Sequence, residues 1–180
     1  MNAEMILVRS NAADVRETVR SMAASLPSER VQPLSLPAFP SRPDIRKGVK
    51  RTLILVDDEP WTAILEGGAV ADEFLARALS RQLETQAIIV GQYDTTNAWA
   101  RRTYARGRVI GELFTPSGAF EVGHGDEEWD GDAGRESSDW LKREGWRHGV
   151  ITFGPLIERG QLPGISADRI SKIVLDEAHA

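Results

Sequence analysis

The residues best placed to do chemistry crowd into one stretch, Glu121 to Asp139, which reads EVGHGDEEWDGDAGRESSD. Eight carboxylates stand there (Glu121, Asp126, Glu127, Glu128, Asp130, Asp132, Glu136 and Asp139) against one cation, Arg135. The local balance is minus seven in a chain whose net charge is minus five, so everything else sums to plus two. Carboxylates at this density suit two tasks: holding a hard cation, or steering and docking a cationic macromolecule. A calcium loop of the EF-hand kind needs oxygen ligands at positions 1, 3, 5 and 12 and a glycine at position 6. Counted from Asp130, position 6 is Arg135 and position 12 is Leu141; counted from Glu128, position 6 is Ala133. Neither register meets the pattern. His124 beside Asp126 has the residue types of a zinc site, but His148 and His179 stand in no HxxxH or HExxH relation to it. No metal and no cofactor are expected.

Docking fits better. Trp129 sits at the centre of DEEWDGD, flanked by charge on both sides. An aromatic body with a polar edge is the side chain most often found at the energetic centre of an interface. Surrounding carboxylates would steer a cationic partner toward it. The candidate partner-binding residues are therefore Asp126, Glu127, Glu128, Trp129, Asp130, Asp132 and Glu136.

Other chemistry finds less support. No GxSxG elbow, GxGxxG or GKS/GKT motif occurs, so nucleophile-elbow and nucleotide-loop chemistry lack their signatures. Asp57, Asp58 and Glu59 precede Pro60 and read as exposed turn residues, not as an acid–base pair. Basic residues group at Arg42, Arg46, Lys47, Lys50 and Arg51, and again at Arg101, Arg102, Arg106 and Arg108 with Trp99 and Tyr104 interleaved. A nucleic-acid binder has such clusters, but the acidic balance of the chain weighs against that partner. On alternating strand positions these cations read as a solvent face. Asp94, Asn97, Tyr104 and His124 are the polar groups that would converge if the chain carried a small-molecule pocket, as an enzyme or ligand-binding domain would.

These residues must be positioned by a small mixed framework. EMILV (4–8) reads as a strand, and Val15, Val19 and Met22 at helical spacing predict a helix over 12–25, with Asn11 as its cap. Five of the nine prolines then fall between Pro27 and Pro43, so 27–48 reads as an extended connector. TLILV (52–56) and WTAIL (61–65) form a hairpin, and a helix follows over about 70–83 with Val70, Phe74, Leu75 and Ala78 in its apolar stripe. QAIIVGQ (86–92), 98–104 and 108–114 read as consecutive strands with a tight turn at Arg106-Gly107. After the acidic loop (121–139), a short helix is expected from Ser137 to Glu144, a brief strand at 150–153, and a last element led by Ile170, Ile173 and Leu175. The expected class is α+β: one domain with an antiparallel or mixed sheet and two main helices on one face.

Length and composition agree. One hundred and eighty residues suit a single domain, and 41% hydrophobic with 27% charged residues is ordinary for a globular protein. No run of apolar residues reaches membrane-spanning length, and the first fifteen residues do not read as a signal peptide. Cysteine is absent, which excludes disulfides and thiolate chemistry and agrees with a cytoplasmic protein.

The stretch WTAILEGG, ADEFLARALSRQLETQAIIVGQYD and WARRTYARGRVIGELF resembles small bacterial immunity-type proteins, which accompany secreted or contact-delivered toxins. The shared features are a Trp-led strand, an LA..LS..L helix, an apolar strand ending in Tyr-Asp, and a hairpin, over roughly residues 50–114. The resemblance implies a non-enzymatic inhibitor of a cognate toxin and carries over no functional residue. Charge points the same way, since toxins acting on nucleic acids or nucleotides have basic clefts that an acidic surface can occupy. A phage or secretion-system accessory protein is the other non-enzymatic expectation.

Overall fold

Met5, Ile6, Leu7 and Val8 are apolar in a row because both faces of their strand are covered. Ile6 and Val8 enter one core and Met5 and Leu7 the other. The computed structural model describes residues 2–25, 51–66, 71–93, 97–115 and 132–175, and the expected connector at 27–48 lies outside them. In chain order the elements are β1 (Asn2–Val8), α1 (Ala12–Ser25), β2 (Arg51–Asp58), β3 (Trp61–Glu66), α2 (Glu73–Gln82), β4 (Gln86–Tyr93), β5 (Ala98–Ala105), β6 (Arg108–Thr115), α3 (Ala133–Arg143), α4 (Pro155–Glu158) and β7 (Ile170–Leu175).

The seven strands form one sheet in the order β6-β5-β4-β1-β3-β2-β7, and every pairing is antiparallel. The fold is α+β in one domain, as the patterning predicts. Two helices cover one face: Val15, Val19 and Met22 of α1 and Leu75, Ala76, Ala78 and Leu79 of α2 pack with Ile64, Ile89 and Tyr104. The opposite face has its own cover, which sequence reasoning did not place. There α3, with Trp140 and Leu141, joins Trp146, Ile151 and Ile157 against Trp61, Ile88, Val90 and Trp99.

This second layer explains several departures from expectation. Arg102 has no solvent face to occupy, because β5 lies under α2; the guanidinium is buried and pairs with Glu73 at 3.0 Å and with Glu112. Arg101 points to the other side and lies over the Trp140 ring, 4.7 Å from its centroid. The apolar run at 150–153 is not a strand but irregular chain, with Ile151 buried in the α3-side core. Phe74 falls outside the buried stripe of α2 and is exposed. Finally, α3 begins four residues earlier than expected, capped by Asp132 instead of a serine, so 133–139 of the expected acidic loop is helical. Its second residue, Gly134, hides the helix from sequence reasoning but permits close approach. A side-chain carbon there would stand 3.2 Å from the Gln92 amide.

Candidate functional site

Two helices begin at the same end of the sheet, and each is capped by an aspartate. The Asp72 side chain accepts a hydrogen bond from Leu75 N at 3.1 Å and opens α2; the Asp132 side chain accepts from Arg135 N at 2.9 Å and opens α3. Both caps satisfy backbone donors that a first helical turn leaves unpaired, and the partial positive charge of the helix start stabilises Glu73 and Glu136 beside them. The placement is fixed by side chains from the sheet. Asn97 Oδ1 accepts from Ala133 N at 3.3 Å, and Trp99 Nε1 donates to Glu136 Oε2 at 3.4 Å. Trp99 and Trp140 then stack with centroids 5.9 Å apart, locking α3 down.

The α2 side of this end is also acidic. Glu4 is buried at the start of β1; its two oxygens accept from the Tyr93 hydroxyl and from Ala71 N, each at 2.8 Å. Burial pushes the Tyr93 phenol far above its ordinary pKa, and the charge and hydrogen bond of Glu4 push it further, so it remains a donor. Tyr104 is raised likewise, by burial and then by Glu73. Glu66 closes β3 at this same end. The described acids here are thus Glu4, Glu66, Asp72, Glu73, Asp132 and Glu136.

Of the residues expected to bind a partner, Asp132 and Glu136 are described and lie 3.4 Å or less from their bonding partners on α3 and β5. Asp126, Glu127, Glu128, Trp129 and Asp130 lie outside the described residues, as do Asp94 and His124. The chain leaves the described fold at Thr115, which pairs with Trp99, and re-enters it at Asp132, beside Asn97. Both points belong to the acid-bearing end. Asn97 and Tyr104 do not converge: one meets α3 and the other packs beneath α2, on opposite faces of the sheet. Among the described residues no group of three or more His, Cys, Asp or Glu could hold a metal ion.

The hairpin tip at the other end of the sheet is a correction. Asp58 is not an exposed turn residue. It pairs with Trp61 inside the hairpin and is only 2% exposed. Arg147 Nη2 and Arg169 Nη1 donate to its Oδ1 at 3.0 and 2.7 Å, and His148 Nε2 meets its Oδ2 at 3.0 Å. Burial alone would raise the Asp58 pKa; the hydrogen bonds and charges of Arg147 and His148 outweigh it and hold the carboxyl below its ordinary value. The partners lie 89 to 111 residues away in sequence, so no local pattern announces them. Compared with known proteins, the chain matches no family model, no curated protein and no solved structure.

Proposed function

We propose that the chain is a non-enzymatic, cytoplasmic immunity-type protein that neutralises a cognate bacterial toxin by docking its acid-bearing end onto a basic surface. One observation carries the reading. The segment with the densest negative charge departs from and returns to the sheet end that already gathers both acidic helix starts. Asp132 and Glu136 at the α3 start thus stand where the chain re-enters from that run, and this supports steering of a cationic partner by this end. Asp132 and Glu136 are built into a helix packed by two tryptophans, so this part of the surface is set before a partner arrives. The membrane plays no part in the reading, and no helix among the described residues is long and apolar enough to cross one.

The test is a growth-rescue assay with the toxin encoded beside this chain's gene, followed by calorimetric titration of the purified pair. Trp129→Ala, and joint neutralisation of Glu127, Glu128 and Asp130 to amides, should each weaken binding more than about tenfold. Affinity should also fall as salt rises from about 50 to 500 mM. Unchanged binding in both variants removes the acidic run from the interface.

A further inference from the structure

The Asp58 cluster has an unbalanced composition. Three cationic or cation-capable side chains share one carboxylate, and the carboxylate lies beneath them. Asp58 is 2% exposed, while Arg147, Arg169 and His148 are 71%, 50% and 22% exposed. An ordinary surface ion pair sets one charge against one, with both in water. Here the outward surface consists of the cations.

The geometry leaves most of their donors available. A guanidinium carries five N–H donors in a planar fork, and Arg147 and Arg169 each place one nitrogen on Asp58. Among the described residues neither has a second hydrogen-bond partner. Because both nitrogens share one oxygen, they lie no more than about 6 Å apart. That spacing holds two like charges over one shared carboxylate, with the exposed Asp168 carboxylate beside Arg169 as a second, outer acid, and an added anion would relieve the remaining repulsion.

Of the nearby acids, Asp57 and Glu59 are turned to other surfaces, while the exposed Asp168 also feels the charge of Arg169. Asp57 Oδ1 faces the Thr62 hydroxyl at 3.5 Å, and a hydrogen bond from Ser166 holds the exposed Asp168 carboxyl below its ordinary pKa. Glu59 lines a shallow groove with Ser10, Asn11 and Pro60. Asp58 also fixes the cations in place, since a buried carboxylate accepting from all three restricts each side chain before any ligand arrives.

We propose that Arg147, His148 and Arg169, braced by Asp58, form a receptor for a phosphoryl group. Tetrahedral oxyanions match paired guanidiniums, which can donate two parallel hydrogen bonds each, and His148, with Nε2 on Asp58, adds a donor through Nδ1 only as an imidazolium. The site lies at the opposite end of the sheet from the acidic surface and does not depend on the toxin-binding reading.

The experiment is calorimetric titration of the full chain with inorganic phosphate at pH 7 and constant ionic strength, then with a nucleoside 5′-monophosphate. Saturable binding with a Kd on the order of 1 mM or tighter is expected. Arg147→Gln and Arg169→Gln should each weaken it at least about fivefold, with the thermal midpoint of each variant showing that it remains folded. Equal affinity for the two probes assigns the site to free phosphate; tighter binding of the nucleotide assigns it to a phosphate monoester. No saturable heat up to about 20 mM phosphate, equal displacement by chloride, or binding that survives the double R147Q/R169Q variant overturns the proposal.

Discussion

Asp58 shows how one side chain can hold a distant segment. Its carboxylate is the shared acceptor that ties the irregular chain after α3, through Arg147 and His148, and the approach to β7, through Arg169, onto the β2–β3 hairpin. Trp61, its cross-strand partner in the hairpin, adds a second tie, donating Nε1 to Glu144 O at 2.7 Å. Asp58→Asn keeps the shape and loses the charge, leaving two guanidiniums crowded at a site without an anion. We expect a loss of about 2 kcal/mol, below the full cost of breaking a buried pair because the arginines stay in contact with water. The acid dependence follows from the sign of the shift. The folded pKa of Asp58 lies below its ordinary value, so its contribution is complete above an unfolded pKa of about 4 and disappears as pH falls through the folded value. Urea midpoints measured from pH 7 down to about 2.5 should therefore converge for wild type and Asp58→Asn. Persistent separation at the acid limit would mean the carboxylate acts by shape alone.

At the level of elements, α3 turns an acidic stretch into a surface with a defined direction. It is fixed at its start by Asp132 and Asn97 and along its inner side by Trp140 on Trp99. Asp132→Ala should cost about 1 kcal/mol through the lost cap. Trp140→Ala should cost about 3 kcal/mol through the cavity it leaves. Denaturant midpoints would separate the two; equal losses would mean that the cap does more than close a helical turn. Much of the sheet could be read from the chain, because TLILV, QAIIVGQ and the Arg106-Gly107 turn carry local period and turn signals. The start of α3 could not. A glycine in its first turn and neighbouring acids resemble a solvated loop, whereas in the fold the Asp132 cap and the Asn97 hydrogen bond fix a helix start there. The Asp58 cluster was hidden for another reason: a carboxylate before a proline looks like a turn residue until arginines from far along the chain arrive. The basic residues of β5 have a solvent-face pattern yet are covered on both sides, because alternation implies a wet face only where nothing covers the strand.

Across the whole molecule, charge is distributed between two ends of one sheet. Both acidic helix starts and the exits of the acidic run share one end, and the arginine cluster on Asp58 takes the other. Burial is distributed differently: β1 is central, while β6 and β7 form the edges. Amide exchange followed by mass spectrometry should find β1, β3 and β4 protected up to the global unfolding free energy and β6 opening earlier. Earlier exchange in β1 would show that its two cores open separately.

The central position of β1 has a consequence for how the chain is made. Its neighbours are β3 and β4, both later in the chain, so this strand cannot complete its pairing until residues 61–66 and 86–93 have followed it out of the ribosome. During that interval Met5, Ile6, Leu7 and Val8 are a nascent apolar segment without a seat, the kind of stretch a chaperone would shelter.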